Sequence, residues 1–265
     1  MGCWPLVTGR RPPRRAAALL EQAGPSRAKA FALVNLAATL SMAGDLEEAI
    51  RVGRQALVMA DDLRADELRA RARNCLGIAR VLDGDLGGVA DLEEAVAIAE
   101  QANSPHSALA YNNLASILAL LGELGRGYQL RAKAHEAAER FGLAHELRLL
   151  RVERVLEDYW TGRWDAALAG VEQFLAESET GTPHISDIFC WLVRGWIRLA
   201  RGDPSGALAA TQTGLTLGRM ANERQLLYPA LATHARALLY AGANTTAPVT
   251  FTPGSAHGQM KRMPA

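Results

Sequence analysis

The chain has 265 residues, with 29 lysines and arginines against 28 aspartates and glutamates, so its formal net charge is +1. A balance this close to neutral argues against a dedicated nucleic-acid-binding protein, which carries a clear basic excess. The three cysteines, Cys3, Cys75 and Cys190, lie far apart and show neither metal-binding nor disulfide spacing. Such spacing indicates free, buried thiols in a reducing, cytoplasmic location.

The first residues of the chain form a basic stretch. Residues 1–15 end in the run Arg10-Arg11-Pro12-Pro13-Arg14-Arg15, which consists of arginine and proline alone. We expect these fifteen residues to be a disordered N-terminal segment. The apolar run that follows, residues 16–20, is shorter than the roughly 7–15 residues of a secretory signal. No stretch is apolar enough to span a membrane, so we expect no membrane contact.

A glycine recurs at a regular interval between residues 16 and 242. Successive members of this series are 38 to 40 residues apart: Gly44, Gly84, Gly122, Gly162, Gly202 and Gly242. Most residues seven before and five after these glycines are small. Two antiparallel helices that meet beside a tight turn need small residues where they cross and a positive φ where the first helix ends. The pattern therefore predicts one helix pair per period.

The predicted helices run, in chain order, over 28–43, 46–60, 66–82, 86–102, 105–121, 125–141, 145–161, 165–179, 184–201, 204–220 and 224–241. Asp45, Asp85 and Asp203 follow turn glycines and are expected to accept backbone N–H bonds where the second helix of a pair begins. The last helix has no partner, which gives about five and a half units. Residues 243–265 are rich in proline, glycine and threonine, and we expect a disordered tail.

This spacing resembles the tetratricopeptide repeat (TPR) family, although TPR units usually have about 34 residues. The longer period also resembles the MalT-like repeats at the C-terminal end of bacterial proteins that carry an ATPase and a class III nucleotide cyclase. The runs that carry the resemblance include Ala110-Tyr111-Asn112-Asn113-Leu114-Ala115 and Leu226-Leu227-Tyr228-Pro229-Ala230-Leu231. The resemblance covers residues 28–242. It implies an all-α, right-handed α-solenoid of TPR-like helix-turn-helix units over residues 16–242, whose first helices line a concave groove.

The sequence shows none of the common catalytic or cofactor motifs. A phosphate-binding GxxxxGK[ST] loop, a GxSxG nucleophile motif and a GxGxxG loop after a strand are all missing. The run that begins at His145 lacks the second histidine of an HExxH site, and the six histidines are scattered. We therefore expect no enzymatic activity, no cofactor and no metal.

Asparagines lie near the middle of the first helix in each of the first three units: Asn35, Asn74, Asn112 and Asn113. An amide both donates and accepts hydrogen bonds, which suits capture of an extended peptide backbone. In the alternative interpretation these side chains satisfy local polar groups or face solvent.

Arginines recur at helical spacing on the first helices of the later units, among them Arg154, Arg194 and Arg198. Stacked units would align them into a ridge that attracts carboxylates or an acidic segment. In the alternative interpretation they belong to a solvated face balanced by Glu153, Asp158 and similar neighbours.

Aromatic residues concentrate in the fourth and fifth units, and Trp196 is the candidate among them for a partner anchor. The other members are Tyr159, Trp160, Trp164, Phe174, Phe189 and Trp191. Helical spacing favours core packing for this group. A ring that faces the groove would instead anchor a bound segment, because aromatic side chains dominate interface energies.

Together these features predict a non-catalytic module that binds a protein or peptide segment, acidic ones included, in the concave groove. The alternative is a sensor or regulatory fragment of an ATP-dependent bacterial signalling or transcription regulator. Its catalytic or DNA-binding domains would then lie outside this chain. The pattern stops at both ends of the sequence, which favours a truncated or fused reading frame.

Overall fold

A computed structural model describes residues 15, 18–20, 22–180, 184–221 and 224–242. This part of the chain is helical and contains no β-strand. Its long helices are α1 (Arg27–Ala43), α2 (Leu46–Asp62), α3 (Asp66–Leu82), α4 (Gly88–Gln101), α5 (His106–Leu120), α6 (Leu124–Arg140), α7 (Ala144–Trp160), α8 (Trp164–Thr180), α9 (Asp187–Ala200), α10 (Pro204–Ala221) and α11 (Arg224–Tyr240). The predicted all-α repeat architecture is confirmed.

Two helices begin two or three residues later than predicted, each for a local reason. Helix α4 begins at Gly88, because the carboxylate of Asp85 accepts a hydrogen bond from the Gly87 N–H at 2.9 Å and holds a turn there. Helix α9 begins at Asp187, whose carboxylate accepts from the His184 N–H at 3.0 Å. In both places a short polar side chain competes with the first helical turn for backbone donors.

The turn glycines adopt the predicted left-handed conformation. Their φ angles lie between 66° and 96° from Gly44 through Gly242, a region in which a residue with a Cβ is strained. The predicted aspartate caps form in part: Asp203 accepts from the Gly206 N–H at 2.8 Å, whereas Asp45 makes no capping bond to α2. The glycines that recur every 38 to 40 residues therefore mark the places where the first helix of each unit ends.

The first and second helices of the units form two layers. The first helices (α1, α3, α5, α7, α9 and α11) contact one another in order, and each also packs on the second helix of its own or the preceding unit. The backbones of the second helices do not pack on one another within the described part of the chain, although the ion pair of Arg126 with Glu93 links α6 to α4. The first helices are therefore the inner layer of a solenoid and the second helices the outer layer.

The solenoid closes on itself, because α11 also contacts α1. Met42 near the end of α1 and Leu226 near the start of α11 accordingly line the same small cavity. Because successive units are related by a small rotation, the sum of those rotations decides whether the ends of a solenoid meet. In this chain they meet after five pairs and one further inner helix.

Two cysteines confirm the expected buried thiols. Cys75 and Cys190 are free and buried, and burial raises the pKa of each to about 12. Thiols of this kind are unreactive at neutral pH. Cys3 lies outside the described residues.

The two predicted disordered segments, residues 1–15 and 243–265, lie outside the described residues except for Arg15. No helix that the structure describes combines the length and the apolar character that a membrane span requires.

Candidate functional site

Three of the four predicted asparagines lie on the inner layer with almost no exposed surface. Asn74 on α3 and Asn112 and Asn113 on α5 are each 2% exposed. Asn35, on α1, is half-buried. These three amides therefore do not face solvent, which was one of the alternatives. Whether they bind a partner or satisfy local polar groups depends on the hydrogen bonds that they make within the chain.

Most of the amide atoms in this set lack a partner. Arg131 donates from Nη1 to Asn112 Oδ1 at 2.7 Å. Within the described residues, however, Asn112 Nδ2, Asn74 Oδ1 and both amide atoms of Asn113 are buried without a hydrogen bond. A buried polar atom left unpaired costs about 1–3 kcal/mol. Unpaired buried atoms of this kind call for an explanation, and a bound partner that pairs with them is one.

Arg131, on the outer helix α6, links these amides to two buried carboxylates of α7. Its Nε donates to Glu157 Oε1 at 2.6 Å, and its Nη1 lies 3.1 Å from Glu153 Oε2. All three side chains are nine-tenths buried. The same Nη1 that binds Asn112 therefore also lies beside Glu153, which places the Asn112 amide next to the carboxylates.

Sequence reasoning missed Arg131, although a signal was present. The residue nine positions after the turn glycine is buried and carries no charge in three other units, as Gly53, Val171 and Thr211. An arginine at that register position predicts a buried charge, and a buried guanidinium requires carboxylate partners. Glu153 and Glu157, on the next inner helix, are those partners.

Burial dominates the titration of Glu157. Its pKa is raised above the usual glutamate range by burial, although the guanidinium of Arg131 works in the opposite direction. A carboxylate with a raised pKa is short of compensating positive charge. Glu153 differs from Glu157: burial raises its pKa too, but the positive charge beside it, that of Arg131 included, outweighs burial, so its pKa is lowered overall.

A cavity of about 70 Å³ lies on the inner layer next to Glu153. Its wall comes from α7, α9, α11 and the end of α1, and includes Met42, Leu156, Phe189 and Leu226. Ligand pockets for small molecules have volumes of about 300–1,000 Å³. This cavity is large enough for part of one side chain and too small for a whole effector.

The predicted basic ridge is paired with carboxylates of the same chain. Arg154 lies 3.4 Å from Asp158, Arg194 lies 2.6 Å from Glu172, and Arg198 lies 3.5 Å from Asp203. Arg194 also stacks over a neighbouring tryptophan ring, at 4.5 Å from the ring centroid. The positive charges are therefore balanced within the molecule, and a part for them in partner binding stays a prediction.

Trp196 is the centre of an aromatic cluster that joins three inner helices. Its Nε1 donates to Thr233 Oγ1 on α11 at 3.0 Å. Its ring centroid lies 5.1 Å from that of Tyr159 and 6.0 Å from that of Trp160, both on α7. Trp196 is half-buried, whereas Trp160 is 63% exposed. The cluster combines packing with an exposed aromatic face.

Replacement of Trp196 by alanine tests the packing role. We expect a loss of about 2 kcal/mol in the free energy of unfolding, because the substitution removes a half-buried ring and its hydrogen bond. Trp196→Phe, the matched control, keeps most of the ring contacts and should lose less than half as much. Urea denaturation followed by circular dichroism measures both. Unchanged stability combined with lost partner binding would instead assign Trp196 to a partner anchor.

Comparison with known proteins shows the fold. A solved structure of BtubC (BKLC) from P. vanneervenii matches with a TM-score of 0.57 and 20% identity, over 96% of this chain and 93% of that one. A single-residue variant of the nearly identical TPR-like repeats of a Podosopora anserina protein described as a kinesin light chain matches with a TM-score of 0.53 and 17% identity. That match covers 72% of this chain and 95% of the other.

The chain has the TPR-like solenoid fold. No protein-family model matches the sequence, and no curated protein does either. At these identities the structural matches establish architecture alone. The finer resemblance to MalT-like repeats stays a prediction.

Proposed function

We propose that this chain is a non-catalytic module that binds an extended segment of another protein along its inner layer. The observation that carries the proposal is the set of buried, unpartnered amide atoms on Asn74, Asn112 and Asn113. These residues lie on two consecutive inner helices. The TPR-like fold supports the proposal, because stacked helix pairs present an elongated surface without needing a deep pocket.

A peptide backbone can supply the hydrogen-bond partners that these amides lack. Each residue of an extended segment offers one N–H donor and one C=O acceptor at a regular spacing. Asn113, whose Oδ1 and Nδ2 are both unpartnered, can accept from one and donate to the other. Binding of this kind does not depend on the partner's side chains, so the amides give affinity and other groups give specificity.

Closure of the solenoid adds a conformational step. Because α11 contacts α1, a partner that binds between the two ends of the inner layer gains access when these two helices separate. The apparent affinity is then lower than the intrinsic affinity by the fraction of open molecules. A small effector, the ligand in the alternative function, would not fit the cavity of about 70 Å³ beside Glu153, whereas an open pocket of about 910 Å³ along α1 and α2, lined among others by Leu33 and Arg51, has the volume for one.

Selection from a library of random extended peptides by the purified full-length chain tests the proposal. The double variant Asn112→Ala/Asn113→Ala should retain about one tenth or less of the wild-type peptide capture, because three unpartnered amide atoms are removed. The matched control is Gln129→Ala, an exposed amide on the outer helix α6. Capture by the double variant equal to that of the control would contradict the proposal, provided that both melt at the wild-type temperature.

A further inference from the structure

Helix α11 is an inner helix that has no second helix of its own unit in the described part of the chain. In the five other inner helices, the residues seven and ten positions before the turn glycine are buried. These pairs are Val34 and Ala37, Asn74 and Gly77, Asn112 and Ala115, Val152 and Val155, and Leu192 and Gly195. The corresponding residues of α11, Ala232 and Ala235, are exposed. Helix α11 therefore leaves open a side that the other units bury.

This side of an inner helix is the one that packs on the second helix of the same unit. A Cβ at Gly77 would come within 2.6 Å of the Gly88 carbonyl oxygen at the beginning of α4. A Cβ at Gly195 would meet the side chain of Thr211 on α10. The open side of α11 is thus the place where a sixth second helix would pack.

Two large side chains extend the open side of α11 in both directions. Tyr228 is 54% exposed and Leu239 is 80% exposed. The residues at the same register in the other inner helices are buried or half-buried. Tyr228, Ala232, Ala235 and Leu239 follow one another at spacings of four, three and four residues, so they share one side of the helix. These four residues are called the vacant face below.

The contact with α1 leaves the vacant face exposed. Helix α1 approaches α11 near the beginning of α11, where Gln225 and Leu226 line a cavity together with Met42. The terminal repeat of a solenoid needs a polar outer side for solubility, whereas this one carries a tyrosine and a leucine with large exposed surfaces. Exposed apolar side chains grouped on one face mark an interaction site.

The sequence after Gly242 does not favour a second helix that would cover this face. In the other units the second helix begins two to four residues after the turn glycine and continues for 14 to 18 residues. Pro248, Pro253 and Gly254 fall within that span after Gly242. Proline and glycine are the residues least favourable in a helix interior. A helix that packs here is therefore expected to come from another molecule.

The vacant face is complementary to itself. Its midpoint lies between Ala232 and Ala235, and Tyr228 and Leu239 are equally far from that midpoint along the helix. When a second α11 lies antiparallel across a two-fold axis at the midpoint, Ala232 opposes Ala235 of the partner subunit and Tyr228 opposes Leu239 of the partner subunit. A two-fold interface requires this kind of self-complementarity. The antiparallel direction is also the one that a second helix has relative to the first helix of its unit.

We propose that α11 forms the interface of an antiparallel, two-fold symmetric dimer in which the vacant faces of two copies pack on each other. The alanines near the axis let the two helix backbones approach closely. Each tyrosine ring packs on a leucine and keeps its hydroxyl at the wet edge of the interface. Arg236, which is exposed beside the vacant face, keeps its cationic end in water. Four side chains from each copy bury less than the roughly 800 Å² per partner of a standard interface, so the dimer is weak.

Sedimentation velocity of the full-length chain between about 5 and about 500 µM tests the dimer, because a weak interface assembles over such concentrations. The wild-type protein should shift from monomer to dimer with rising concentration. Ala235→Lys places two ammonium groups beside the axis and should raise the dissociation constant about ten-fold or more. Because Ala235 is exposed in the single chain, this variant should keep the wild-type melting temperature. The matched control, Ala97→Lys, changes an exposed alanine on α4 and should dimerise like the wild type.

Cross-linking between two single-cysteine variants tests the direction of the pairing. In a Cys3→Ser background, Tyr228→Cys mixed with Leu239→Cys should give a disulfide-linked dimer on oxidation. Each variant alone should not, because eleven residues, or about 16 Å of helix, separate the two positions and a disulfide needs Cα atoms within about 7 Å. The buried thiols Cys75 and Cys190 are the same in both variants.

Three results would overturn the proposal. The first is a chain that stays monomeric at the highest concentration, which would leave the vacant face to a helix of a different protein. The second is a dimer that Ala235→Lys and Ala97→Lys affect equally. The third is a cross-link that forms in each single variant and not in the mixture, because that pattern indicates parallel helices. The readout is the oligomeric state, so none of these results bears on peptide capture by the inner layer.

Discussion

Replacement of Arg131 by methionine is expected to lower the free energy of unfolding by about 3–5 kcal/mol. Methionine keeps most of the stem volume, so the loss comes from charge rather than from a cavity. Glu153 and Glu157 would lose the guanidinium that both of them contact, at 3.1 and 2.6 Å. An uncompensated buried carboxylate is among the most destabilising changes that a single substitution can make.

The size of this effect should depend on pH in a defined direction. The folded-state pKa of Glu157 is already raised above the ordinary value of 4.5, and loss of Arg131 should raise it further. A carboxyl whose pKa is higher in the folded state binds its proton more tightly there, so its penalty is full above the folded pKa. The deficit of Arg131→Met should therefore shrink as the pH falls from about 7 towards the ordinary glutamate pKa.

The matched control is Arg151→Met on the inner helix α7. Arg151 pairs with Glu177 at 2.7 Å, but the two side chains are 43% and 39% exposed. An exposed pair of this kind contributes about 0–1 kcal/mol. Urea denaturation of both variants between about pH 5 and about pH 8 makes the comparison. If the two losses were equal, or independent of pH, the Arg131 cluster would be solvated rather than buried.

Helix positions were predictable from the sequence because each is decided locally. A glycine with positive φ ends every inner helix, and its spacing fixes the units that follow. The two late helix starts, at Gly88 and Asp187, depend on single aspartate hydrogen bonds. Periodicity does not distinguish such a bond from a first helical turn, so these boundaries were predicted less accurately.

The site was predictable in its residue types and not in its partners. Asn112 follows from the repeat pattern, but its bond to Arg131 joins α5 to the outer helix α6, and the carboxylates come from α7. Such a cluster depends on the relative register of three helices. The pairing of Arg194 with Glu172 of α8 has the same origin. A one-dimensional charge pattern shows which residues are ionised and not which of them meet.

Contact between the two ends of the solenoid was not predictable from the sequence for a related reason. The contact between α11 and α1 is the accumulated result of small rotations between neighbouring units. No single residue encodes that sum. The asparagines were predicted on an open groove, whereas Asn74, Asn112 and Asn113 are buried.

Substitution of Gly77 by alanine should cost about 3 kcal/mol of unfolding free energy, even though alanine has the higher helix propensity by about 1 kcal/mol. Gly77 lies where α3 crosses α4. A Cβ at this position would come within 2.6 Å of the Gly88 carbonyl oxygen and 2.8 Å of Leu92 Cγ. Because the oxygen belongs to the backbone, relief requires α4 to move away from α3. Movement of that kind also loosens the packing of Leu92, which is fully buried.

Gly53→Ala on α2 is the matched control, since the substitution and the helical setting are the same. A Cβ at Gly53 would meet Leu76 Cβ at 3.5 Å, which is ordinary van der Waals contact. This variant should therefore be unchanged or more stable by up to about 1 kcal/mol. Hydrogen exchange adds a spatial test, because neighbouring units of a solenoid stabilise one another. In Gly77→Ala protection should fall in α3 and α4 first, and an equal loss in both alanine variants would show that the crossing does not require glycine.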